Sequence, residues 1–312
     1  SLPGYAELQC ASNFSFLRGA SHPEQLVARA AELGYAALAI TDECSVAGVV
    51  RAHEEAKRQK LPLIVGSQFR VHDERGDSLW LVALATDRDG YGNLCELITL
   101  ARNRTDKGSY LLRRSDLDAP PPALAHLRGL PGCIVLLAPD YGIDVAKLHA
   151  QLEWMHASFG ERARVALTLL HRGRDEQHKV TLLQAAAAQG LRVAASGDVC
   201  MHLRSRKPLH DVMTATRLGR PLRDCGLALQ PNAERHLRSR LVLGRCFPPD
   251  LLAATLDVAA RCTFSLDELR YQYPDEVVPA GHTPSSWLRQ LVEQGARWRW
   301  PQGTPPAVQR QI

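Results

Sequence analysis

Ser21-His22-Pro23-Glu24-Gln25-Leu26-Val27-Ala28-Arg29-Ala30-Ala31-Glu32-Leu33-Gly34-Tyr35-Ala36-Ala37-Leu38-Ala39-Ile40-Thr41-Asp42 is the stretch that decides the fold. Ser21 to Glu24 has the form of a capping box with proline inside the first turn. Leu26, Val27, Ala30 and Leu33 fall on one helical face, and Gly34 supplies the residue that ends a helix in a left-handed turn. An apolar run at 37–41 then predicts a buried strand. Helix followed by strand is half of a βα repeat, and the pattern continues in both directions. Strands are expected at 5–9, 37–41, 62–66, 79–85, 133–138, 165–170 and 192–197, and helices at about 45–59, 91–102, 144–156 and 175–189. This alternation predicts an α/β fold with a mostly parallel sheet, curled into a distorted seven-stranded barrel. Residues 104–131, polar and then proline-rich at Ala119-Pro120-Pro121-Pro122, are expected to be a long excursion.

The pattern changes at about residue 231. A helix at 248–262, a tyrosine- and proline-rich stretch at 269–279 and a helix at 285–298 predict a linker and a short, mostly helical opening of another region, so the domains are expected at 1–230 and 231–312. The end at Arg310-Gln311-Ile312 is expected to be an interruption rather than a natural stop. With 45% hydrophobic and 23% charged residues, the composition is that of a globular protein. No apolar run approaches the roughly 18 residues of a membrane span, and 1–4 has no leader character, so a cytoplasmic protein with no membrane partner is expected. Eight scattered cysteines without a CxxC pair are expected to be reduced core thiols. The formal charge of +5 is compatible with a polyanionic partner. The basic run Arg102, Arg104, Lys107, Arg113 and Arg114 is expected to be a solvated face rather than a DNA contact.

Barrel-like α/β folds carry their chemistry just past the C-terminal strand ends. There lie Thr41-Asp42-Glu43-Cys44, Gly66-Ser67-Gln68 and Gly197-Asp198-Val199-Cys200-Met201-His202. Asp42 and Asp198 read equally as ligands or as plain helix caps.

Several segments taken in order resemble the polymerase and histidinol phosphatase (PHP) domain of bacterial C-family DNA polymerases. They are 8–20, with Ser12-Asn13-Phe14-Ser15-Phe16-Leu17-Arg18-Gly19; 41–48; 62–68; 87–98; and Gly197-Asp198-Val199-Cys200 followed by His210-Asp211-Val212. The wording of 12–24 is most similar to the error-prone branch of that family. The resemblance implies a barrel followed by the start of a polymerase palm. It also implies a parent enzyme that performs Mg²⁺-dependent, DNA-directed nucleotidyl transfer in translesion synthesis, with DNA, mutasome proteins and the sliding clamp as partners. An active PHP site, as the resemblance implies it, is a trinuclear metal cluster on histidines and carboxylates. Here its ligand positions fall at Gln9, Ala11, Asp42, Glu43, Gln68, Trp80, Asp198 and Cys200.

Ala11 offers no ligand atom, Trp80 only an N–H, and Gln9 and Gln68 neutral amides that bind transition metals poorly. No cofactor is therefore expected in this domain, which becomes a structural scaffold. The alternative is a residual metal-dependent phosphoesterase or 3′→5′ proofreading exonuclease on Asp42, Glu43, Asp198 and Cys200, with His202 or His210 nearby. A hydrogen-bond network among Gln9, Gln68 and Asp198 is expected in place of metal bridges.

Overall fold

The computed structural model describes residues 2–270 and 277–312, so part of the tyrosine- and proline-rich stretch expected at 269–279 lies outside the described residues. The chain forms two compact units, Ser1–Leu269 and Arg270–Ile312. The first contains β1 (Ala6–Glu7), α1 (Pro23–Glu32), β2 (Ala37–Glu43), α2 (Val49–Gln59), β3 (Leu63–His72), β4 (Ser78–Ala85), α3 (Arg88–Arg102), β5 (Leu112–Arg113) and α4 (Ser115–Asp118). It continues with β6 (Cys133–Ala138), α5 (Val145–Phe159), β7 (Ala163–Thr168), α6 (Asp175–Ala188), β8 (Arg192–Ser196), α7 (Lys207–Leu218), α8 (Arg240–Cys246) and α9 (Pro249–Arg261). The second unit holds α10 (Pro284–Arg299) and α11 (Pro306–Gln309), neither with a buried residue, and Trp298 is 82% exposed.

The seven expected strands all form, in the spatial order β1-β2-β3-β4-β6-β7-β8, and curl into a distorted barrel. The sheet is mixed, because β4 runs antiparallel to both β3 and β6. A tight turn is the cause: the Asp73 carboxylate accepts from the Arg75 and Asp77 amides, and Gly76 takes φ 84°. β3 consequently runs on to His72, past the expected end at 66. The excursion adds the two-residue β5, which pairs with β3.

Strand alternation sorts the core into two layers. Ala37, Ala39, Ile64, Val82, Leu84, Ile134, Leu136, Ala166 and Ala194 fill the barrel, whereas Leu38, Ile40, Val65, Leu81, Val135 and Leu167 pack outward under the helices. Val258 and Cys262 of α9 join the inner cluster, and Thr255 Oγ1 accepts from the Ala6 amide at 3.1 Å. α9 therefore plugs one end of the barrel, which is why the compact unit runs to Leu269 and not to the boundary expected at 230.

The seam between β1 and β8 has no ladder; a single bridge joins Cys10 to Val199. Glu7 spans the rest. Its buried carboxylate accepts from the Gly197 amide at 3.0 and 3.1 Å, from the Gln9 amide at 3.0 Å and from the Tyr5 hydroxyl at 2.7 Å. A Cβ at position 197 would lie 2.4 Å from Glu7 Oε2, so glycine permits this approach.

The capping box expected from Ser21 does not form as drawn. His22 is the N-cap and its amide donates to Gln25 Oε1 at 3.0 Å, because Ser21 Oγ is committed to the ring and amide of His202. The basic run is a solvated face only in part: Lys107 and Arg113 are exposed, and the other three are engaged. Arg102 donates to the Cys44 and Glu43 carbonyls, Arg104 makes a two-pronged pair with Asp116, and Arg114 stacks on Trp154. Six of the eight cysteines are buried and all are free thiols.

Candidate functional site

The inward row of the strands continues past the apolar filling into a cavity of about 280 Å³. Glu43 of β2, Gln68 of β3, Trp80 of β4, Ala138 of β6 and Thr168 of β7 supply its floor. Gln9, Ala11, Asp198 and Cys200 complete it from the seam side. The structure thus brings together seven of the eight expected positions, Ala11 among them; Asp42 alone is absent from the lining. Counting in twos from Ala37 and Ala39 places Glu43 inward and Asp42 outward.

Asp42 instead anchors the loop that follows the seam. Its Oδ1 accepts from the amide and hydroxyl of Ser15 at 3.1 and 2.7 Å and from the Ser12 amide at 2.8 Å, while Oδ2 accepts from Ser12 Oγ at 2.8 Å. Burial pushes its carboxyl above the usual range, and the serine hydrogen bonds work against that shift. Accepting four hydrogen bonds and with no exposed surface, Asp42 serves the loop as a structural acceptor. A Cβ on Gly48 would come within 2.7 Å of Asp42 Oδ2, so the anchor is tightly enclosed.

Inside the cavity, guanidinium groups sit beside the carboxylates. Arg18 Nε lies 2.6 Å from Glu43 Oε2, whose other oxygen accepts from the Tyr110 hydroxyl at 2.9 Å. Arg235 grips Asp198 twice, through Nε to the carbonyl and through a terminal nitrogen to Oδ1, both at 2.7 Å. Burial opposes the Arg235 charge, but Asp198 and Cys200 outweigh it and the net shift is upward. Asp198 itself takes φ 45°, a left-handed conformation that carries strain for a residue with a Cβ. Cys200 is a buried neutral thiol, pushed up to about 11 by burial and close to the Arg235 carbonyl.

Of the network expected among Gln9, Gln68 and Asp198, the bond between the two amides forms, while Asp198 joins only through its backbone N–H and Ser196. Gln9 Nε2 donates to Gln68 Oε1 at 3.1 Å, Ser196 Oγ donates to Gln9 Oε1 at 3.0 Å, and the Asp198 amide donates to Ser196 Oγ at 3.2 Å. Trp80 stacks under Arg70 at 5.3 Å. His210 lines the cavity, whereas His202 is turned to Ser21 and does not.

This set does not fit a metal cluster. No three His, Cys, Asp or Glu side chains converge as ligands among the described residues, Asp42 is buried and accepts four hydrogen bonds from Ser12 and Ser15, and Asp198 and Glu43 already face guanidinium charge. Arg18 and Arg235 were not foreseen from sequence, and no local pattern marks either. Removing the Arg235 charge tests the pairing. Arg235→Ala should cost about 2 kcal/mol in urea unfolding, reduced from the fully buried case because both partners are partly exposed. Asp198→Ala should recover part of that cost in the double variant.

Several known proteins are similar to this chain. The PHP domain model matches residues 7–187. The error-prone DNA polymerase of Bordetella parapertussis is 58% identical over 312 residues, covering 100% of this chain and 30% of that protein. That of Burkholderia mallei is 52% identical over 319 residues, with 100% and 30% covered. The chain thus spans about 30% of the length of these curated relatives. Among solved structures, an amidohydrolase from Chromobacterium violaceum aligns with a TM-score of 0.49 at 15% identity, over 63% of this chain and 88% of that one. Matched by that model over more than half of its length, the chain belongs to the PHP domain family.

Proposed function

We propose that this chain is the catalytically silent PHP domain of an error-prone DNA polymerase, a scaffold for template-directed nucleotidyl transfer carried out elsewhere in the parent protein. The polymerase part of the reading is supported by relatives of that name that match the chain over its whole length. The single observation that carries the silent part is the pairing of Asp198 with Arg235 at 2.7 Å, a protein cation where a metal-bound cluster needs free carboxylate. In the parent, Mg²⁺ would be held by the palm, and residues beyond the barrel unit would lead into that region. DNA, the sliding clamp and mutasome proteins are the partners this role needs, and damage-induced mutagenesis in the cytoplasm is its setting.

What the barrel residues do in this reading is hold shape. Glu7 closes the seam, Asp42 fixes the loop 12–20, and the two ion pairs neutralise Glu43 and Asp198 with side chains of the chain itself. The competing reading, a residual phosphoesterase or 3′→5′ exonuclease, is tested by incubating the protein with end-labelled single-stranded DNA and Mn²⁺ or Zn²⁺. No cleavage above buffer is expected. Cleavage that disappears in Asp198→Ala would overturn the silent reading.

A further inference from the structure

Outside the cleft, Arg238 is a cation without a carboxylate. It is 2% exposed, yet no carboxylate oxygen lies within 4.0 Å of it among the described residues, and its Nε and Nη2 are buried without hydrogen-bond partners. A buried guanidinium with no counter-charge is costly. Glu7 feels its charge, but from beyond pairing distance. Nη1 donates to the Leu169 carbonyl at 2.9 Å and faces Cys246 Sγ at 4.0 Å, so the side-chain acceptor it reaches is a thiol sulfur.

A second group converges on the same sulfur. Cys246, the last residue of α8, has its Sγ 3.7 Å from His171 Nε2, and Glu234 Oε2 lies 3.9 Å from that nitrogen. Arg204 holds the other oxygen of Glu234 at 3.0 Å. The His171 backbone is left-handed, with φ 54°, and its side chain is 60% exposed, so the ring meets solvent on one side and the thiol on the other. Six of the eight thiols are buried. Of the two that are partly exposed, Cys95 faces the Tyr91 hydroxyl and burial pushes its thiol up. Cys246 is the one that combines access with a base and a cation.

We propose that Cys246 is a peroxide-reactive thiol, with His171 as its proton acceptor and Arg238 as the fixed positive charge facing the sulfur. None of the three lines the cleft. Thiolate is the reactive form of cysteine, and a neighbouring imidazole or guanidinium favours it. The Sγ proton passes to His171 Nε2, and a sulfur electron pair attacks one oxygen of hydrogen peroxide. The S–O bond forms as the O–O bond breaks, and the departing hydroxide takes the proton back from His171 and leaves as water. Sulfur is oxidised to the sulfenic acid and peroxide is reduced. Between these steps the imidazolium is stabilised by Glu234 beside the same nitrogen.

Limiting hydrogen peroxide with dimedone, added to the folded full chain in EDTA and followed by tryptic mass spectrometry, tests this. Cys246 falls in the tryptic peptide 246–261, which holds no other cysteine. The dimedone adduct should form there roughly tenfold faster than at Cys95 and be absent in Cys246→Ser. His171→Asn removes the imidazole and keeps a residue that accepts a left-handed backbone, so the fold is retained. It should slow the adduct roughly tenfold. Alkylation by iodoacetamide at about pH 10, where thiols ionise without help, should proceed at the same rate in this variant and the parent. No adduct at Cys246 in the folded chain, an adduct at Cys95 that forms as fast, or a peroxide rate unchanged in His171→Asn would each overturn the proposal. Equal slowing of both reactions in His171→Asn would assign the ring to access alone and overturn it as well.

Discussion

Asp42→Ala should lower the stability of the barrel unit by about 3 kcal/mol, among the largest single-residue effects expected in this chain. The substitution strips the acceptor from the Ser12 amide, leaves the Ser15 amide only the Ser12 carbonyl at 3.0 Å, and frees both serine hydroxyls in a buried loop where water cannot replace the carboxylate. Each orphaned buried donor costs about 1–3 kcal/mol, while the two hydroxyls can turn elsewhere. For a unit of this size that corresponds to a fall in Tm of about 10 °C. Asp42→Asn keeps one acceptor oxygen and should lose about half as much. Thermal melts with and without EDTA distinguish this from the ligand role implied by the resemblance. A structural anchor gives the same loss in both buffers, whereas a ligand gives a loss only when metal is present.

The second large effect is a pH dependence centred on Glu7. Burial raises its carboxyl from an ordinary value near 4.5 to about 7, against the hydrogen bonds from Tyr5, Gln9 and Gly197. The folded state therefore holds a proton that the unfolded chain has released. Stability from this group is present below about pH 4.5 and declines as pH rises to about 7. A shift of this size corresponds to roughly 3 kcal/mol across that window. His210 acts in the opposite direction. Burial and nearby cations lower it from 6.5 to about 4, so its contribution is present above about 6.5 and is lost as pH falls through 4. The raw stability curve sums both trends, so the informative quantity is the difference between the parent chain and Glu7→Gln in urea unfolding from pH 4.5 to 8. That difference should shrink by roughly 3 kcal/mol up to about pH 7 and then stay flat. A difference that does not change with pH would show that Glu7 is not protonated on folding.

Much of the barrel was legible in the sequence because its signals are local. Apolar runs between glycine and proline punctuation marked every major strand, and Asp87, Asp144 and Gly190 sit at helix ends where capping chemistry puts them. What the sequence concealed depends on partners far along the chain. The amphipathic pattern of α9 says that one face is apolar, not that it plugs the barrel, and the compact unit extends past residue 230 for that reason. The antiparallel β4 follows from a short turn whose consequence is topological rather than local.

The site divides in the same way. The eight family positions could be listed from motif spacing, and the structure brings all but Asp42 to one cavity. The exception was readable in principle, since alternation from Ala39 already puts Asp42 on the outer face. Arg18, Arg172, Arg217 and Arg235 were not readable, because arginine is abundant in this chain and only tertiary packing shows which side chains enter the cleft.

The central claim is that internal ion pairs and amide hydrogen bonds have taken the place of metal in this cleft. Elemental analysis of the purified chain by mass spectrometry, after dialysis against buffer containing zinc and manganese and then against metal-free buffer, tests it most directly. The predicted result is far less than one equivalent of any transition metal, unchanged by Asp198→Ala. A stoichiometric metal that is retained by the parent and lost in Asp198→Ala would contradict it.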